Sequence, residues 1–228
     1  MAVEDKQRVR ERIWRALEDE GAARFPGARG RIPNFVGAEA AAGRLAEQPE
    51  WCAARVVKSN PDAPQLPVRR RARRDAKTLY MAVPRLADAR PFVRVQGDPT
   101  IKRGLAEGVP VRVEELGHVD LVVCGTVAVN RDGVRVGKGG GYSDLELALL
   151  VEAGLVDDAT TIATTVHPLQ LLDEDLPETA HDFRVDLVVT PDEVVRTRRP
   201  RRSPGVIWED LDADKIAAIP VLAGQRRD

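Results

Sequence analysis

Between residues 137 and 141 the chain reads Gly-Lys-Gly-Gly-Gly, and a helix-forming segment follows at once. Backbone without Cβ atoms approaches a polyanion closely, and its N–H groups can point at phosphate oxygens. A helix N-terminus at the same place adds free N–H donors and a favourable dipole. Lys138 supplies a point charge, so Gly137, Lys138, Gly139, Gly140, Gly141 and the adjoining Tyr142 are candidates for holding phosphate. The plain alternative is a glycine-rich turn. The standard nucleotide fingerprints do not fit: no Gly-x-x-x-x-Gly-Lys-Ser/Thr string occurs, and Tyr142 stands where Gly-x-Gly-x-x-Gly needs its third glycine.

Asp144 falls in the first turn of the following helix and would repel phosphate unless a divalent cation lay between them. Mg²⁺ prefers oxygen ligands and commonly bridges carboxylate and phosphate, which makes Asp144 the candidate metal ligand. The alternative is an acid that only stabilises the helix dipole. Ser143 and Glu146 have the spacing of a capping box. The helix is expected to run to Ala153, with Gly154 as its stop.

A second set of cations lies at the start of the chain. Residues 4–20 read as a helix with Val9, Ile13 and Leu17 four apart. At about 100° per residue, Arg8, Glu11, Arg12 and Arg15 gather on the opposite, solvated side. Lys6 and Arg10 instead project near Ile13 and Leu17, along the face that meets the protein, with Trp14 beside them. Unpaired charge is costly to bury, so these two cations need an anionic partner.

The rest of the chain must position these groups. Residues 25–35 look like a surface loop, and 37–47 like a short alanine-rich helix. A strand over 54–58 breaks at Asn60-Pro61-Asp62-Ala63-Pro64, and 65–76 resume as a basic helix. Strands are expected at 78–83, 121–129, 160–166 and 185–190, with a helix at 99–107. The run 121–129 is the strongest strand signal; it ends at the turn Asn130-Arg131-Asp132-Gly133, and Val134 and Val136 lead back to the glycine loop. Strands alternating with helices argue for an α/β sandwich in one main domain, residues 1–195, with a Pro- and Arg-rich extension, 196–228, packed on it.

Composition bounds the function. The 228 residues are 43% hydrophobic and 4% aromatic, with a net charge of −1. That balance argues against wholesale nucleic-acid binding. Arginines crowd 69–74 and 196–202, yet neither run has interleaved aromatics, so the first reads as a solvated helix face and the second as a flexible crossing before Trp208. Met1 to Arg12 is charged and carries no apolar h-region, so no signal peptide is expected, and no apolar run nears the roughly 18 residues of a membrane span. Cys52 and Cys124 stand in no metal or redox spacing, and His118, His167 and His181 form no ligand pattern, which points to a reducing cytoplasm. A monomer or homodimer acting on a small molecule is expected.

Three blocks, in order, resemble the 5-formyltetrahydrofolate cyclo-ligases (5,10-methenyltetrahydrofolate synthetases). The segment from Asp120 to Asp144, with Arg135 leading into Gly-Lys-Gly-Gly-Gly-Tyr-Ser-Asp, resembles that family's signature. Lys6-x-x-x-Arg10 resembles the basic pair on its first helix. His181-Asp182-Phe183-Arg184-Val185-Asp186 resembles its His-Asp-x-x-x-Asp strand. The resemblance implies a three-layer α/β/α sandwich of the NagB/RpiA/CoA-transferase-like kind, with a mostly parallel sheet. It also implies ATP bound between Lys6, Arg10 and the glycine loop, Arg135 supporting the loop, and Asp144 binding Mg²⁺ directly or through water.

The implied reaction is attack of the formyl oxygen on the γ-phosphoryl group of MgATP, followed by ring closure through N10 and loss of phosphate. Such chemistry asks the protein chiefly for alignment and charge neutralisation, work suited to Lys6, Arg10 and Lys138. The chain departs from the family at Ser143, where a second Tyr is usual, and at Leu145, where Arg is common. Its Ser59-Asn60-Pro61-Asp62-Ala63-Pro64-Gln65 also replaces a Ser-x-x-x-Glu-x-x-Thr pattern, which marks a divergent branch. Asn60, Asp62 and Gln65 are candidate substrate-binding residues there, with local turn chemistry the alternative for any one of them. Two other readings stand beside the leading one: an ATP-using enzyme with a different substrate, and a nucleotide-binding protein that acts by interaction alone.

Overall fold

The computed structural model describes residues 2–197 and 201–225. Helix α1 (Ala2–Asp19) opens the chain, and α2 (Ala38–Ala46) and α3 (Pro49–Ala53) lead into strand β1 (Val56–Ser59). Then come α4 (Leu66–Arg74), β2 (Thr78–Ala82), β3 (Phe92–Arg94), α5 (Ile101–Glu107), β4 (Val109–Val111) and β5 (Leu121–Cys124). The chain continues through β6 (Ala128–Asn130), β7 (Arg135–Val136), α6 (Tyr142–Glu152), β8 (Thr161–Thr165) and β9 (Leu171–Leu172). It finishes with β10 (Leu187–Val189), β11 (Val194–Arg196), α7 (Ala213–Ala218) and α8 (Pro220–Gln225).

An eight-stranded sheet in the order β11-β10-β8-β5-β1-β2-β3-β4 forms the centre. Strands β10, β8, β5, β1 and β2 run parallel, while β11 and β3 pair antiparallel at its two sides. The parallel strands are buried on both faces, which is why β5 reads as the unbroken apolar run Leu-Val-Val-Cys. Alternate residues divide between two cores. Leu121 and Val123 meet Leu45, Trp51, Val68 and Ala72 from α2, α3 and α4 on one face. Val122 and Cys124 meet Leu145, Leu149, Ile216 and Leu222 from α6, α7 and α8 on the other. Helices on both faces of a mostly parallel sheet are the expected α/β layering.

Residues 121–129 are not one strand. The chain leaves the large sheet after Cys124 and pairs again from Ala128 in a second sheet, ordered β7-β6-β9. Gly125 marks the break, because a Cβ there would lie 2.9 Å from Asp62 Oδ2 and 3.0 Å from Ile32. The small sheet packs on α1 through Ile13, Leu17, Val127, Val134 and Val136. That packing brings the opening helix to the glycine loop, which leaves β7 directly.

The order of strand addition reverses between the parallel neighbours β1 and β5. From β1 the next parallel strand, β2, lies to one side; from β5 the strands β8 and β10 follow on the other. A crevice opens at such a switch point outside the carboxyl ends of the strands, where open α/β sheets bind ligands. Asn60 and Gly125 stand at those ends, joined by the Asn60 amide donating to the Val123 carbonyl at 3.0 Å.

Two further expectations are corrected. The arginine run on α4 is not wholly solvated: Arg69 is buried and donates to the carbonyls of Asn60 (2.6 Å), Asp62 (3.0 Å) and Pro99 (2.9 Å). In the second run, Arg196 pairs with Glu50 at 3.0 Å and Arg202 with Asp186 at 2.7 Å, so these side chains are tied down. Arg198 and Arg199 lie outside the described residues.

Candidate functional site

Arg10 and the glycine loop meet. The Arg10 Nε donates to the Gly137 carbonyl at 2.7 Å, and Lys6 and Arg10 are both buried, as their inward placement on α1 requires. The anionic partner is Asp182. Lys6 Nζ lies 2.5 Å from Asp182 Oδ2 and 3.1 Å from the Thr179 hydroxyl. Burial pushes the Asp182 carboxyl up, but hydrogen bonds from Lys6 and Thr179 outweigh it and hold the group below the usual carboxylate range. Burial likewise lowers the Arg10 guanidinium, and the Asp182 charge opposes that shift.

The loop itself is shaped by glycine. Gly139 and Gly141 have φ of +107° and +68°, a region that side chains with Cβ avoid, and Gly141 forms the N-cap of α6. Among the described residues, the backbone N–H groups of residues 138–144 find no protein acceptor. Seven consecutive unpaired donors at a helix start are chemically suited to an anion.

Ser143 and Glu146 do not make the expected capping box, because Glu146 is used elsewhere. Its buried carboxylate pairs with Lys58 at the end of β1. Lys58 also donates to Asn60 Oδ1 at 3.1 Å, and Asn60 Nδ2 donates to the Ser143 hydroxyl at 3.2 Å. A chain of polar contacts therefore fixes the first turns of α6 against the carboxyl end of β1.

Arg135 organises the other side. It is buried, donates from Nη1 to the Gly125 carbonyl at 2.9 Å, and pairs through Nη2 with Asp144 Oδ1 at 2.8 Å. The Phe183 ring lies 4.6 Å from its guanidinium carbon. Burial lowers the guanidinium, yet Asp144 and its other acidic neighbours raise it further, above its ordinary value. Asp144 Oδ2 accepts no hydrogen bond among the described residues, which leaves one carboxylate oxygen without a protein partner.

Lys138 lies in an exposed part of the loop, with Nζ 3.5 Å from Asp62 Oδ1. The structure thus brings Lys6, Arg10, Arg135, Gly137 to Tyr142, Asp144, Asn60 and Asp62 into one neighbourhood. Asn60 and Gln65 are buried rather than placed on a rim, and neither side-chain atom of Gln65 has a hydrogen-bond partner. Asp182, Lys58 and Lys215 were not among the candidates. The His181-Asp182 pair was visible in the sequence, but nothing in the spacing of Lys58 or Lys215 signalled a role.

The fold and site define an α/β protein with a glycine loop and a basic opening helix at the switch point of a mostly parallel sheet. The profile of the 5-formyltetrahydrofolate cyclo-ligase family matches residues 2–191, and the chain belongs to that family. It is similar to the methenyltetrahydrofolate synthase domain-containing proteins of Mus musculus (38% identity, 97% of this chain, 63% of that protein) and Bos taurus (37%, 97%, 62%). The chain thus spans under two thirds of the length of these curated relatives. In fold it is similar to the 5,10-methenyltetrahydrofolate synthetase of Aquifex aeolicus, at 20% identity and TM-score 0.55 over 90% of this chain and 99% of that one. The Mycoplasma pneumoniae synthetase is similar at 11% identity and TM-score 0.50, over 81% of this chain and 98% of that one.

Proposed function

We propose that this protein is an ATP- and Mg²⁺-dependent cyclo-ligase that converts 5-formyltetrahydrofolate to 5,10-methenyltetrahydrofolate, releasing ADP and phosphate. One observation carries the reading: the Arg10 guanidinium reaches the Gly137 carbonyl, so the opening helix and the glycine loop belong to one site. Lys6, Arg10 and Lys138 neutralise the charge of the transferring phosphoryl group, while Gly137 to Tyr142 hold phosphate oxygens through their free amides. Formyl oxygen attacks the γ-phosphorus as ADP leaves; N10 then attacks the activated carbon, and phosphate departs as the ring closes.

The residues present fit Mg²⁺. Asp144 offers one carboxylate oxygen while Arg135 fixes the other. Among the described residues there is no cluster of three or more His, Cys, Asp or Glu suited to a metal. One carboxylate with phosphate oxygens and water is the ligand set Mg²⁺ commonly takes, and the bound ion would supply further charge neutralisation. On the folate side, Asp62 faces the loop, and Asn60 and Gln65 act from beneath it.

Packing of Ile216, Ile219 and Leu222 into the core under α6 supports reading the C-terminal extension as packed on the main domain. Among the described residues no helix is long and apolar enough to cross a membrane. The free thiols of Cys52 and Cys124 are in keeping with a cytoplasmic enzyme.

The test is to mix the pure protein with MgATP and 5-formyltetrahydrofolate and follow methenyl absorbance together with ADP. Both should rise only when both substrates are present. A different substrate is the second reading, favoured by Asn60, whose side chain is spent on Lys58 and Ser143. ATP binding without folate turnover would remove folate as the substrate and leave this reading beside that of a nucleotide-binding protein acting by interaction alone.

A further inference from the structure

The family match ends at residue 191, yet residues beyond it close one side of the glycine loop. Lys215, in α7, lies with Nζ 3.2 Å from the Gly140 carbonyl and 5.6 Å from the centre of the Tyr142 ring. A Cβ on Gly141 would come within 3.1 Å of that Nζ. The placement is built rather than incidental. Asp212 caps α7 by accepting from the Lys215 amide at 2.6 Å, and Ile216 and Ile219 are buried in the core. A cavity lies between this segment and α6, lined by Asp144, Leu145, His181, Val206, Leu211 and Lys215.

Most other cations around the loop have a carboxylate partner, whereas Lys215 and Arg10 have none among the described residues. Lys6 is answered by Asp182, Lys58 by Glu146 and Arg135 by Asp144. No carboxylate lies within ion-pairing distance of Lys215 among the described residues. Its ammonium has three donors and spends one on a neutral carbonyl. Asp144 and Asp210 line the same cavity without pairing with Lys215, so this half-buried cation beside seven unpaired amides keeps donors free for an anion.

We propose that Lys215 is a phosphate-contacting residue of the nucleotide site, supplied by the C-terminal extension, with residues 201–225 as the outer wall of that site. The proposal rests on the reading of the glycine loop as the ATP site. In a trans peptide the C=O and the next N–H point opposite ways. With the Gly137 carbonyl turned to Arg10 and the Gly140 carbonyl to Lys215, the N–H groups of Lys138 and Gly141 are turned away from those side chains. A phosphate oxygen is a far stronger acceptor for an ammonium than a neutral carbonyl, so bound ATP draws Lys215 from Gly140.

The experiment is calorimetric titration of ATP, and separately of adenosine, into the full-length protein and its K215M, K215R and K138A variants. Methionine keeps the apolar stem against Tyr142 and removes only the charge. A charge-assisted hydrogen bond is worth about 1.5–3 kcal/mol, so K215M should weaken ATP binding by roughly tenfold or more. Adenosine affinity and the KM for 5-formyltetrahydrofolate should not move, and K215R should retain most of the ATP affinity. If K215M binds ATP like the wild type while K138A is weakened, the role of Lys215 is overturned and the loop reading stands. If neither variant is weakened, the loop reading falls as well. A measurement on the wild type alone guards against misfolding of K215M: ATP should slow amine labelling of Lys215, read by mass spectrometry, and unchanged labelling at saturating ATP would also overturn the proposal.

Discussion

Lys58 and Glu146 form an ion pair that lies inside the protein, joining the end of β1 to the second turn of α6, with side chains 1% and 6% exposed. Burial pushes the Glu146 carboxyl up, and Lys58 opposes that shift. Removing one partner leaves the other charge buried and unanswered, which costs about 3–5 kcal/mol, whereas replacing both with apolar groups of similar size is often close to neutral. Lys58→Met should therefore destabilise the protein severely in urea unfolding, and Lys58→Met with Glu146→Leu should recover most of the loss. Equal destabilisation by the single and double variants would show that the pair's surroundings, not its charges, hold this junction.

Lys138→Ala should weaken ATP binding while leaving stability nearly intact. The side chain is about half exposed and its contact with Asp62 is long, so its loss should change stability by no more than about 0.5 kcal/mol. Against a triphosphate the same charge counts for more, and a drop in ATP affinity of roughly 3- to 10-fold is expected. Unchanged affinity in an ATP titration would count heavily against the loop as the phosphate site.

Asp144→Asn keeps the shape of the residue and a possible contact to Arg135 but removes the charge that would attract a cation. The Mg²⁺ concentration needed for half-maximal turnover should rise by about tenfold, with the KM for 5-formyltetrahydrofolate little changed. The check is a Mg²⁺ titration at saturating ATP. An unaltered Mg²⁺ requirement would assign Asp144 to its ion pair with Arg135 alone.

Much of this arrangement is legible in the sequence. The glycine loop, the turn at Gly133, the inward face carrying Lys6 and Arg10, and the core strands all follow from local spacing and chain stereochemistry, while the parallel sheet follows only from the family resemblance. What is not legible depends on partners far away in sequence. Glu146 has the spacing of a capping residue and is instead taken by Lys58, 88 residues earlier. Arg69 shares its run with four other arginines and is the one turned inward to three carbonyls, where burial lowers it to about 10. The run 121–129 is interrupted only by Gly125 and Thr126, too little for hydrophobicity alone to show that it changes sheets there. Only the close approach of Asp62 and Ile32 explains that glycine.

The Lys6–Asp182 pair makes an acid-side prediction. The Asp182 carboxyl is held below its ordinary range. A depressed carboxyl stabilises the fold above its unfolded pKa, about 3.9, and that contribution is lost as pH falls through the lower folded value. Asp182→Asn should therefore be less stable than the wild type at neutral pH, and the gap should narrow on acidification below about pH 4. Urea unfolding of both proteins across that range is the measurement. A gap that stays constant with pH would mean that Asp182 serves through its shape and not its charge.

Gly139→Ala tests the loop's backbone without touching any charge. With φ at +107°, a Cβ is strained at this position, and it would also sit 3.4 Å from the Arg10 guanidinium carbon. The strain costs of order 1–3 kcal/mol if the loop keeps its path. The loop is exposed on one side and its amides make no internal hydrogen bonds, so it should shift rather than unfold the protein. The expected outcome is a thermal midpoint within a few degrees of wild type and ATP affinity reduced by about tenfold or more, since the amides no longer converge. Normal ATP affinity in Gly139→Ala would show that the amides around residue 139 are not what grips the nucleotide, whatever Lys138 and Arg10 contribute.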